Sequence, residues 1–174
     1  MMKKLLAGLL AAAMLLGCAA LAQTYRHEDD LTFTYDENCF EIVTDEHTDD
    51  EDTVVLNFKD AEWGEGYIRI HLRDMEDGEK FPTLADFAEL EQGLNTHVTQ
   101  GEWNGCKDVF MYDVDDGDTL EATFIVPIYD DDDREVEDML TVKICVTHID
   151  DEETAMVRDD KISEVVDTLK VLDD

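Results

Sequence analysis

Ile68-Arg69-Ile70-His71-Leu72-Arg73 alternates apolar and basic side chains with a period of two. Successive side chains of a strand point to opposite faces, so three branched apolar groups share a buried face and Arg69, His71 and Arg73 share the other. The stretch is therefore a strand. Upstream of it, Trp63-Gly64-Glu65-Gly66 reads as a turn, and Val54, Leu56 and Phe58 fall on one face of a preceding strand. Residues 39–43 form another strand, and Leu31-Thr32-Phe33-Thr34-Tyr35 alternates in the same way, with Asp36-Glu37-Asn38 as the turn between them. Residues 45–52 read as a solvated acidic loop, and residues 23–30 as a short polar linker.

Downstream, residues 74–80 read as a loop. Thr83 and Asp86 have the spacing of a capping box. Leu84, Phe87, Ala88, Glu91 and Leu94 follow at helical spacing, with Leu90 beside them, and predict an amphipathic helix of about three turns that ends near Asn95. Three long strands come next. Residues 109–114 enter a hairpin turn at Asp115-Asp116-Gly117-Asp118. Leu120, Ala122, Phe124, Val126 and Ile128 line one face of the second strand, and Leu140, Val142, Ile144 and Val146 one face of the third. Cys145 lies on the opposite face with Thr141, Lys143 and Thr147, and residues 130–133 form the turn between these two strands. Pro127 has no N–H, which predicts a sheet edge or a bulge. Ile162, Val165, Val166, Leu169 and Leu172 form the stripe of a terminal helix. Four strands, a helix, three strands and a helix predict an α+β domain over residues 31–174: one antiparallel sheet with helices packed on it.

The first 22 residues have a different character. Lys3 and Lys4 precede an apolar run over residues 5–16, too short for a bilayer span of about 20 residues but suited to an export signal. Two processing sites overlap. Leu15-Leu16-Gly17-Cys18 resembles a lipobox, with Cys18 as the acylated residue, and Ala20-Leu21-Ala22 is an A-x-A site that would release a soluble chain. The expectation is an exported lipoprotein held to the membrane through its lipid alone, or a secreted protein if cleavage follows Ala22.

The chain has 13 basic and 46 acidic residues and a formal net charge of −33, and the leader holds two of the basic and none of the acidic ones. Such a field repels nucleic-acid phosphates and bare anionic lipid, and it favours basic partners and divalent ions. It also costs stability through self-repulsion. After Cys18, the cysteines are Cys39, Cys106 and Cys145, an odd number that permits one disulfide without selecting a pair.

No sequence motif for chemistry emerges. Ser163 is the only serine and lies in the terminal helix pattern, and no G-x-S-x-G, G-x-x-x-x-G-K, G-x-G-x-x-G, H-E-x-x-H or C-x-x-C is present. His27, His47, His71, His97 and His148 are scattered, and His71 and His148 are the strand candidates for a metal assembled in space. Cys106, beside Gly105, is the candidate thiol nucleophile. The run from Asp113 to Asp118 fails the EF-hand pattern, because its glycine falls at position five and no bidentate Glu closes the loop. It reads as a solvated turn, as do residues 49–52 and 130–133, which leaves weak calcium binding as the alternative and no cofactor expected. Trp63 and Trp103, each near a glycine turn, are candidate contact points, with packing inside the fold as the competing reading.

Three local patterns resemble the PsbP-like superfamily, which includes PsbP, Mog and DcrB-type proteins. They are Phe33-Thr34-Tyr35 followed by Phe40-Glu41-Ile42, then Thr83-Leu84-Ala85-Asp86-Phe87-Ala88, and finally Ile162 through Val165-Val166 to Leu169-Lys170-Val171. The resemblance implies an α/β/α sandwich and a non-catalytic accessory role beside a membrane, and it carries over no functional residue. The expected function is an extracytoplasmic binding or accessory lipoprotein that contacts a cell-envelope protein, basic in character. The alternatives are a secreted hydrolase using carboxylates or a metal, and an immunity-type inhibitor with an acidic binding face.

Overall fold

The computed structural model describes residues 22–27, 30–76, 78–88, 91, 96–129 and 135–172. In chain order these form β1 (Ala22–His27), β2 (Leu31–Asp36), β3 (Phe40–His47), β4 (Glu51–Phe58), β5 (Gly66–Asp74), β6 (Thr99–Trp103), β7 (Cys106–Asp115), β8 (Thr119–Tyr129), β9 (Val136–Thr147), α1 (Glu152–Thr168) and β10 (Lys170–Val171). Seven strands make one antiparallel sheet in the order β3-β4-β5-β9-β8-β7-β6, and a three-stranded sheet has the order β1-β2-β10.

This architecture is mostly β, and it corrects the expected helix-flanked sandwich. Residues 23–27, expected as linker, together with Ala22, expected as the last residue of the leader, pair with β2 in continuous register from Ala22↔Asp36 to His27↔Leu31. Ladder hydrogen bonds satisfy this backbone even though its side chains are largely polar. The terminal helix stops at Thr168, and the chain then extends so that Lys170 and Val171 pair with Thr32 and Leu31. Leu172 therefore lies beyond the helix. Residues 45–47 and Asp52, expected as loop, continue the β3–β4 ladder, and Glu51 pairs with Arg73 of β5. Of the predicted middle helix, Leu84–Phe87 is a short 3-10 turn opened by Thr83, whose N–H and hydroxyl both donate to the Asp86 carboxylate. Leu90 and residues 92–95 lie outside the described residues, as does the predicted turn over 130–133.

One face of the large sheet is buried, with Val54, Leu56, Ile68, Ile70 and Val142 almost fully enclosed. Leu31 and Phe33 of β2, Ile162 and Val165 of α1 and Leu169 just after it join the same core. The second sheet and the helix thus share the covering that two helices were expected to supply. Arg158 of α1 is only 5% exposed, and its guanidinium donates to the Thr147 carbonyl (2.8 Å) and the Trp63 carbonyl (3.5 Å). Gly66 is required where β5 passes β9, because a Cβ there would come within 2.5 Å of the Cys145 carbonyl oxygen. A smaller cluster of Phe87, Val98 and Phe110 lies apart from the main core.

Both outer strands of the large sheet are irregular. β3 carries a register shift between Ile42 and Thr44, and β6 one between Gly101 and Trp103.

Candidate functional site

A groove of about 510 Å³ opens between the β6–β7 turn, the end of β8 and the chain leaving α1 for β10. Strand pairing explains why it exists. β8 stays paired with β9 as far as Tyr129, but its ladder with β7 ends at Phe110↔Ile125. β7 peels away below that point, helped by Asp108 at φ 60°. Pro127 occupies the local edge left behind, where its missing N–H costs nothing. Asn104 (φ 50°) and Gly105 (φ 84°) make the turn at the lip. Asn104 Nδ2 donates to the Val166 carbonyl at 2.8 Å and so ties that lip to the end of α1.

Trp103, Val126, Ile128, Leu140 and Leu169 supply the apolar lining. Trp103 is half-buried, with its ring 5.3 Å from that of Phe124. Lys107 and Lys170 also line the groove, both are exposed, and neither has an ion pair among the described residues. A cationic rim on an apolar trough is unusual for so acidic a chain. Tyr129 donates to Asp108 at 3.3 Å across one end. Burial pushes the Cys106 thiol above its usual pKa, so the sulfur that faces the groove is a protonated, weak nucleophile. The arrangement can hold an apolar body and an anionic end.

The other sequence candidates separate. Trp63 is a core residue, 5% exposed, packed edge-on against Phe40 and Phe58, and offers no binding surface. Among the described residues, Cys39, Cys106 and Cys145 are free thiols, and burial raises the pKa of Cys39, to about 11, and of Cys145. His71 meets Glu51 and His148 meets Asp115, so the strand histidines are not brought together. In the β7–β8 turn, Asp115 accepts from the Gly117 N–H and Asp116 from the N–H groups of Asp118 and Thr119. These bonds hold both carboxyls below the usual carboxylate range.

Two clusters escaped the sequence reading. His47 and Asp52 are directly opposed in the β3–β4 ladder, with Nδ1 2.8 Å from Asp52 Oδ1. Nε2 lies 2.8 Å from Asp45 Oδ1, which also accepts from the Tyr25 hydroxyl at 2.5 Å. The His27 ring stacks on that of His47 with centroids 3.3 Å apart. Burial works against the His47 charge, but hydrogen bonds to Asp52 and Asp45 outweigh it and raise the pKa. Nearby, a concavity of about 110 Å³ is lined by Asp30, Asp52, Asp74 and Asp138 among others. Burial, the Asp74 and Glu137 charges and a hydrogen bond to Asp74 push Asp138 up to about 6. No local signal distinguishes these groups in a chain with 46 acids and five histidines.

No protein-family model, curated protein or solved structure matches the chain. Among the described residues, no helix is long and apolar enough to cross a membrane.

Proposed function

We propose that the protein is an extracytoplasmic binding protein, exported through residues 1–22, that captures an amphiphile with an apolar body and an anionic end. One observation carries this reading: the apolar groove at Trp103 carries Lys107 and Lys170 on its rim. Its volume lies within the range of about 300–1,000 Å³ typical of small-molecule sites. Burial of the apolar body supplies affinity at about 25 cal/mol per Å² removed from water, and the two ammonium groups select charge. The accessory role implied by the PsbP-like resemblance is compatible with such a carrier or sensor. The hydrolase reading has less support, because Asp74 and Asp138 are directly opposed partners in the β5–β9 ladder. Such neighbours sit against each other on one sheet, whereas glycosidic carboxyls stand about 5 Å or more apart to flank a substrate.

Titration with dodecanoate below its micellar concentration, followed by tryptophan fluorescence and calorimetry, tests the proposal. Saturable binding is expected, weakened at least tenfold by Trp103→Ala. Lys107→Gln with Lys170→Gln should weaken dodecanoate but not dodecanol. Absence of saturable binding, or equal binding by Trp103→Ala, rejects the groove as the site.

A further inference from the structure

We propose that His27, His47 and Asp52 form a binding site for a divalent first-row transition metal, with zinc(II) as the occupant. This inference is independent of the groove. One donor atom from each residue falls within 4.8 Å of the other two, and the three residues come from β1, β3 and β4. A tetrahedral ion with bonds of about 2.1 Å holds its donors about 3.4 Å apart. The His47 Nδ1–Asp52 Oδ1 separation of 2.8 Å opens slightly to admit the ion, and His27 turns out of its stack to close on it.

The donor set selects the metal class. Two imidazoles and one carboxylate suit zinc and its neighbours, whereas calcium takes six to eight oxygens. The surroundings are those of a supported site. With Nδ1 given to the metal, His47 Nε2–H donates to Asp45, and Asp45 is held in turn by the Tyr25 hydroxyl. A carboxylate behind a ligating histidine fixes the ring and raises its basicity. The Tyr25 hydroxyl is taken up by its hydrogen bond to Asp45 and so acts as a support rather than a ligand. Asp52 is 7% exposed, and an enclosed carboxylate gains more from a cation than an exposed one. Entry of zinc displaces the proton between His47 and Asp52 to solvent. The ion then links the three-stranded sheet to the seven-stranded one, and its three protein donors leave a coordination position for an exchangeable ligand.

Calorimetric titration of chelator-treated protein with zinc chloride at pH 7.5, beside a thermal melt, tests this. One saturable site of micromolar affinity or tighter is expected, with a melting temperature raised by several degrees and no such response to calcium. His27→Gln lies on an outer strand of the small sheet and leaves the core intact. It should weaken zinc at least tenfold, and His47→Gln should do the same. Lack of saturable zinc binding, or undiminished binding by His27→Gln, overturns the site even if His47→Gln fails to fold.

Discussion

Asp138 shows how little a single acidic residue reveals on its own. It follows Glu137 in a chain crowded with carboxylates, and there burial joins with Asp74, a neighbour on another strand, to push the pKa to about 6. A carboxyl with a raised folded-state pKa binds its proton more tightly when folded. Its contribution to stability therefore grows as pH falls from above 6 toward the ordinary carboxylate value, and is least favourable at neutral pH. Asp138→Asn should accordingly melt about 2 °C higher than the parent at pH 7.5, with the gap closing near pH 4.5, as read by calorimetric melts. The two tryptophans make the same point about legibility. Both stand beside glycine turns, but Gly64 lets Trp63 enter the core while Gly105 forms the open lip of the Trp103 groove. What separates them is contact with distant strands, which local sequence does not encode.

Among the elements, apolar periodicity was the dependable guide. The alternation around Ile68 and the stripe from Ile162 to Leu169 both became buried faces. Two kinds of element were not legible. β1 is largely polar and becomes a strand because β2 offers an edge, and β10 exists because the chain after α1 meets that strand's other edge. The enclosure of Arg158 was equally invisible, since it depends on the carbonyls of Thr147 and Trp63 converging there. Removing a buried charge leaves those acceptors unpaired. Arg158→Ala should cost about 3 kcal/mol, a fall of about 10 °C in melting temperature for a chain of this size. Circular dichroism melts would measure it, and Arg158→Lys should recover only part, because an ammonium cannot reproduce the planar fork. Pro127 pointed toward the groove through its chemistry, as Trp103 did as a candidate contact: the missing N–H predicted an interruption in pairing, and β7 departs there.

For the molecule as a whole, the acidic charge was readable and the layering was not. Strand order among the described residues is set by pairings between distant segments, and β5 meets β9 rather than its sequence neighbour β6. The formal charge of −33 acts over all of it. Self-repulsion among exposed carboxylates is screened over about 10 Å at 0.1 M salt and about 3 Å at 1 M. The melting temperature should rise by several degrees between 10 mM and 1 M sodium chloride, and a flat profile in scanning calorimetry would contradict this. The register shifts in β3 and β6 have a consequence for life at high local concentration. An incoming chain seeking to extend the large sheet meets a broken hydrogen-bond repeat at both margins, along with exposed Glu41 and Glu46 at one and Glu102 at the other. Fibril growth by strand addition is therefore obstructed at each open border, and copies crowded together resist seeding one another.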